Sequence, residues 1–142
     1  MADGSFSPAA RAAIMGRTDG RCVGCGQPAT NIQHRKARGM GGTRSVSVGH
    51  PANGLPMCGS GTTGCHGWAE ANPAHALALG WRIDQAADPT LCWFWSAVGP
   101  WRWNLVDAGG LLHYVDMDDI PADRFIAASD SVLVFADYLR AR

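Results

Sequence analysis

Apolar and polar residues follow three successive rhythms along the chain. The first is short and helical. Over residues 7–15, Ser7 is placed to cap, Pro8 suits the first helical position and Gly16 ends the run, which predicts a helix. The second rhythm is interrupted. Residues 29–35, which hold Ile32, and residues 53–57 each predict a short strand. Between them, residues 37–51 are rich in Gly and Ser without any period and read as an exposed loop. His66 to about Ala71 predicts a helix, Asn72-Pro73 breaks and recaps it, and residues 74–79 continue as a second helix until Gly80. The third rhythm is aromatic. Trp81-Arg82-Ile83, residues 91–96 and residues 101–106 predict strands, and Asp107-Ala108-Gly109-Gly110 predicts a turn into residues 111–115, so that 101–115 forms a hairpin. Val132, Leu133, Phe135, Ala136 and Leu139 predict a C-terminal helix beginning after Ser129 or Ser131. Trp93 with Trp95, and Trp101 with Trp103, alternate with period two. Each pair should share a strand face and pack in the core, in preference to stacking on nucleic-acid bases.

A length of 142 residues suits one domain with a modest core, and 46% hydrophobic content excludes a disordered chain. There is no internal repeat and no apolar run approaching about 18 residues, so no membrane span is expected. The first residues lack a basic start followed by an apolar stretch, so a secretory signal is not expected and a soluble, cytoplasmic protein is. Net charge is zero but unevenly spread. Residues 1–66 carry seven cations (Arg11, Arg17, Arg21, Arg35, Lys36, Arg38, Arg44) against two acids, and residues 67–142 carry five against ten. A basic front half fits a polyanion-binding face or a solvated surface without a partner. The acidic half offers a docking face for a protein.

Five cysteines add chemistry. Cys22-Val23-Gly24-Cys25 is either a redox pair or half a metal site. The second pair, Cys58 and Cys65, favours the metal: four thiolates in two knuckles (20–26 and 58–65) suit a tetrahedral structural zinc. The second spacing is wide. Either Gly59, Gly61 and Gly64 let the longer loop close, or one thiol drifts away. Cys92 is left over and expected to be buried and inert. Closing the chain on a zinc draws His34 and His66 toward one region, with Glu70 one helical turn beyond His66 on the same face. Cleaving a phosphodiester needs a base, a cation and a clamp on the backbone. His34 is the best base, or else a histidine that only positions phosphate. His66 is the best ligand for a divalent ion, or else a zinc ligand in place of a cysteine. Glu70 is a second ligand or a solvated carboxylate. Arg35, Lys36, Arg38 and Arg44 are the candidate DNA phosphate clamps. His50 and His75 read as surface or capping residues, and His113 as a hairpin residue.

The run Cys22-x-x-Cys25, Gln33-His34-Arg35-Lys36-Ala37-Arg38-Gly39-Met40-Gly41-Gly42, then Asn53, then Cys58…Cys65-His66-Gly67-Trp68 resembles the HNH endonucleases, most nearly their small phage and actinobacterial type, over roughly residues 20–83. The resemblance implies an α+β fold: a zinc-stapled ββα-metal, or treble-clef, finger. A short N-terminal helix (1–19) would precede it, and a C-terminal β-hairpin plus helix (84–142) would pack on it. It implies that His34 is the general base and that His66 ligates a catalytic divalent ion (Mg, Mn, Ni or Zn). Asn53 holds the metal-binding loop or helps coordinate that ion, and the zinc on the four cysteines is structural and separate. Where the family often has His or Asp before the base, this chain has Gln33, whose amide oxygen is a weaker ligand; Glu70 would compensate. The implied function is nicking or cleavage of DNA by phosphodiester hydrolysis, by a phage-encoded protein or on phage DNA in a host cytoplasm. The alternative is a non-catalytic zinc finger that binds DNA or serves as an adaptor in a phage packaging assembly, beside terminase or portal proteins. A CxxC redox protein would leave His34, Asn53 and His66 unexplained.

Overall fold

The computed structural model describes residues 4–37 and 47–142. Helix α1 (Pro8–Arg17) begins where expected: the Ser7 hydroxyl accepts from the Ala10 N–H at 3.1 Å. Ala10 and Ile14 face inward and make a small cluster with Phe6 and Ile32. Arg17 fastens the end of the helix by donating to the carbonyls of Pro51 (3.0 Å) and Gly54 (2.7 Å).

Strands β1 (Asn31–His34) and β2 (Gly54–Met57) pair antiparallel, with Asn31 opposite Met57 and His34 opposite Gly54. Helices α2 (Gly64–Ala71) and α3 (Pro73–Ala78) follow, broken at Asn72 as expected. Gly80 then turns the chain with φ +73°; a Cβ there would collide with the Trp93 carbonyl, so the close approach requires glycine. A second sheet, in the order β3-β4-β5, comprises β3 (Phe94–Trp95), β4 (Trp103–Val106) and β5 (Leu112–Tyr114). Helix α4 (Ala122–Ala141) closes the fold.

The main core joins both halves of the chain. Phe135 of α4 packs edge-on against Trp68 of α2 and Trp81, with centroids 4.9 and 5.0 Å away, and Phe94 and Val106 of the second sheet belong to the same cluster. Residues 84–142 therefore share one core with the residues before them. The described residues form a mixed α+β fold of two small sheets and four helices, and no described helix is long and apolar enough to cross a membrane.

Several expectations need correction. Trp81-Arg82-Ile83 is not a strand. After Gly80 the Trp81 and Arg82 N–H groups both turn back to the Ala76 carbonyl, and the indole N–H donates to the Trp95 carbonyl at 2.8 Å. The strand expected over 91–96 shrinks to two residues, because Asp88 caps a 3-10 turn at Pro89–Leu91 and the carbonyls of Cys92 and Trp93 are taken by Arg35. Helix α4 starts seven residues before Ser129, which lies mid-helix and bonds back to the Phe125 carbonyl; Pro121 and Asp123 are suited to the true start. Of the tryptophans, Trp95 and Trp103 face each other across strands and Trp103 is buried, whereas Trp101 precedes β4, is 46% exposed and stacks on Tyr114. Cys92 is half-buried, not buried, and its thiol donates to the Asp88 carbonyl.

Candidate metal centres and the His34 strand

The first knuckle is closed by backbone bonds: the Gly26 N–H donates to the Cys22 carbonyl at 2.9 Å, and the Cys22 N–H to the Gln27 carbonyl at 2.7 Å. In the second, the wide loop closes. Gly59 takes φ +84° where a Cβ would collide with the Thr63 carbonyl, Ser60 bridges Thr63, and the His66 N–H reaches the Cys58 carbonyl at 3.1 Å. The longer spacing therefore brings Cys58 and Cys65 together. The sulfurs of Cys22, Cys25, Cys58 and Cys65 all lie within 4.8 Å of one another, with Cys25 and Cys58 3.7 Å apart. A tetrahedral ion with metal–sulfur bonds of about 2.3 Å would space its ligands about 3.8 Å apart. The donor set and its spacing fit a structural metal ion such as zinc. The side-chain hydrogen bond with Cys65 pulls the Cys22 thiol down to about 5 against the effect of burial, and the same contact pushes Cys65 up; burial raises Cys25. A cation seated among these sulfurs would favour their thiolate forms.

Among the described residues, no second set of three His, Cys, Asp or Glu side chains converges in this way. His66 is not part of the cysteine cluster, so it does not replace a thiol. It sits in the first turns of α2, half-buried, with Nε2 3.6 Å from Glu70 Oε1. That places the pair on one helix face, as their spacing predicts, at a distance too long for a hydrogen bond. Burial lowers the His66 pKa, and Glu70 partly opposes it. Gln33 and His34 are successive strand residues and so point to opposite faces. Gln33 is buried; its amide N–H donates to the Trp81 carbonyl at 2.6 Å. Among the described residues, two buried side-chain polar atoms have no hydrogen-bond partner: Gln33 Oε1 and His66 Nδ1. Orphaned buried acceptors are uncommon because each forfeits its hydration.

His34 faces the N-terminal segment. Its Nε2 lies 2.6 Å from the Gly4 carbonyl, and its ring stacks on Phe6 with centroids 4.2 Å apart and planes 18° from parallel. Asn53 is fully buried. Its Oδ1 accepts from the Lys36 N–H at 2.7 Å, and its amide donates to the carbonyls of Lys36 (3.1 Å) and Val48 (2.8 Å). It thus ties together the two ends of the loop that follows β1. The loop-holding role is what this geometry serves. A ligand role for Asn53 is corrected, because its oxygen is already engaged and enclosed.

The expected phosphate clamps also need correction. Arg35 is 1% exposed, and its guanidinium donates to five carbonyls: Gly80 (2.7 Å), Ala52 (3.1 Å), Pro89 (3.3 Å), Cys92 (2.9 Å) and Trp93 (3.2 Å). Burial pulls its pKa down to about 10. Lys36 is also buried, with Nζ bonded to Ser47 Oγ (3.0 Å) and the Ala87 carbonyl (2.9 Å). Neither can meet a phosphate without dismantling the interior. Arg38 and Arg44 lie outside the described residues. His50 caps the 3-10 turn at Pro51–Asn53 and His113 pairs with Asp107 across the hairpin turn, as expected, whereas His75 is neither a surface nor a capping side chain: it is half-buried, bonded to Ser131 and stacked on Trp68.

Three participants escape sequence reasoning. Gly4 and Phe6 contact His34 from 28 or more residues upstream, and Arg142 places its guanidinium 3.7 Å from Cys58 Sγ and 3.9 Å from Cys65 Sγ. The charge on Arg142 was visible, but its place beside thiols some 80 residues earlier depends on how α4 docks. Comparison with protein-family models, curated proteins and solved structures found no match.

Proposed function

We propose that this chain is a metal-dependent DNA endonuclease of the HNH type, held together by a structural zinc on Cys22, Cys25, Cys58 and Cys65. The observation that carries the reading is the pair of buried polar side-chain atoms without a hydrogen-bond partner among the described residues, Gln33 Oε1 and His66 Nδ1, at the two positions where the motif calls for ligands to a second ion. The loop-holding bonds of Asn53 and the His66–Glu70 face support it further. In this reading His66, Gln33 and Glu70 hold a divalent ion, which supplies charge stabilisation for the phosphorane and the leaving oxygen. His34 takes the proton of the attacking water, leaving 5′-phosphate and 3′-hydroxyl ends. In this reading the substrate is DNA, that of a phage in its host's cytoplasm.

A plasmid-nicking assay with Mg²⁺, Mn²⁺ or Ni²⁺ tests this. His34→Ala should lower nicking by about 10²- to 10⁴-fold while leaving zinc content and DNA binding nearly unchanged. No cleavage by the folded wild-type chain with any of these ions would sink the proposal.

A second reading has its own observation in favour. Arg17, Arg35 and Lys36 are spent on internal carbonyls and a hydroxyl, so the basic face is weaker than the sequence suggests. That suits a zinc-stapled adaptor in a phage packaging assembly. DNA binding without cleavage, indifferent to His34→Ala, would select it.

A further inference from the structure

Helix α4 meets the cysteine centre with one face. Phe135 packs against the first knuckle: a Cβ on Gly24 would stand 3.0 Å from its ring and 3.1 Å from Cys65 Sγ. Tyr138 lies against Phe135 and Trp68, with centroids 5.9 and 6.1 Å away. Arg142, which ends the helix, follows one turn after Tyr138 on the same side. Its Cζ lies 5.5 Å from the centre of the Tyr138 ring, a cation–π distance, and its Nη1 stands 3.7 Å from Cys58 Sγ and 3.9 Å from Cys65 Sγ. Arg140, two residues earlier, is turned to Asp137 instead. A guanidinium has donors only and keeps its charge, so toward sulfur it donates and attracts.

We infer that Arg142 is a positioning residue of the cysteine metal centre: from the end of α4 it donates to the sulfurs of Cys58 and Cys65 and so slows loss of the ion they hold. This rests on the four cysteines holding a metal ion such as zinc. Four thiolates around a divalent ion leave a net charge of about −2, which one adjacent guanidinium partly offsets. The two sulfurs it touches stand at the two ends of the wide second knuckle, Cys58 half-buried and Cys65 buried, so the contact also fixes the closure of that loop. Donors of this kind orient metal ligands and strengthen their grip. The competing role is a solvated cation that lies near sulfur without affecting the ion.

The test uses the full zinc-loaded chain with Arg142→Gln, and Arg140→Gln as the neighbouring cation that does not touch sulfur. Each is challenged with an excess of a metallochromic chelator, and zinc release is followed by absorbance. Release should be about tenfold faster from Arg142→Gln and within about twofold of wild type from Arg140→Gln. Cobalt in place of zinc gives a readout that a change in folding stability would not mimic. Donors to sulfur lower the energy of its lone pairs, so the thiolate-to-cobalt charge-transfer band should move to longer wavelength in Arg142→Gln and stay in place in Arg140→Gln. Zinc release from Arg142→Gln within about twofold of wild type overturns the inference. An unmoved cobalt band overturns it too, as does equal loss in Arg140→Gln, which would trace the effect to overall charge. A chain that takes up neither zinc nor cobalt on its cysteines fails the structural-metal reading and takes this inference with it. One ion per chain, held equally by wild type and Arg142→Gln, fails this inference alone.

Discussion

The cysteine centre and the His34–His66 region lie within one short stretch of chain, yet they are built by different means. The cysteine centre is assembled by backbone: two knuckles, turned by Gly26 and Gly59 and closed by main-chain bonds, deliver four sulfurs to one point. The other region is assembled by side chains whose partners lie far away in sequence. Gln33 leans on Trp81, His34 on Gly4 and Phe6, and Asn53 on Lys36 and Val48. Local backbone geometry gives a metal site that is complete by itself. The side-chain region depends on the whole fold and, among the described residues, leaves two buried polar atoms unmet. The first arrangement suits a structural metal ion; the second would hold an exchangeable ion only in the proposed nuclease reading.

Three experiments would break or sharpen this contrast. The largest effect should come from losing the structural ion. Chelation, or Cys65→Ala, should unfold the finger, since a structural zinc supplies on the order of 10 kcal/mol in small zinc domains. Near-ultraviolet circular dichroism of Trp68 and Trp81, with metal analysis, reads this; a native spectrum with no bound metal would refute the structural role. Next is Arg35→Met, which leaves several buried carbonyls without donors. A loss of about 3–5 kcal/mol in urea unfolding is expected, with DNA affinity of the folded protein unaltered. A large drop in DNA affinity at unchanged stability would restore Arg35 as a clamp. The smallest effect on stability should come from His66→Ala, within about 1 kcal/mol, since it deletes an acceptor that bonds nothing. It should abolish binding of a second divalent ion in calorimetric titration while one zinc per chain is retained. Undiminished binding of a second ion would place that ion elsewhere.

What the sequence revealed follows the same division. The knuckles, α1, the β1–β2 strands and the α2–α3 break were legible because their signals are local: Ser7 and Pro8 at a cap, glycines in knuckles, Asn72-Pro73 at a break. Arg35 and Lys36 misled, because a cation beside a candidate base looks like a phosphate ligand. Only tertiary structure shows the carbonyls that claim them. The strand expected at Trp81–Ile83 failed for a related reason. Trp and Ile favour strands by packing, and here Trp81 packs as a pillar between Trp68, Trp95 and Phe135 with no neighbouring strand to pair with. Helix α4 was placed too late because its first turns expose Ile126 and half-bury Phe125, so they show no clear apolar stripe.

The five carbonyls around Arg35 carry a consequence for how the chain acquires its structure. They come from segments near residues 52, 80 and 89–93, so the guanidinium is fully satisfied only when all three have arrived. A partly assembled state that encloses the guanidinium before all three have arrived leaves the charge with too few acceptors and is penalised. The segments on either side of residue 83 should therefore fold and unfold in a single step. Cutting the chain after residue 83 would strip Arg35 of three acceptors and bare the sides of Trp81 that Trp95 and Phe135 cover.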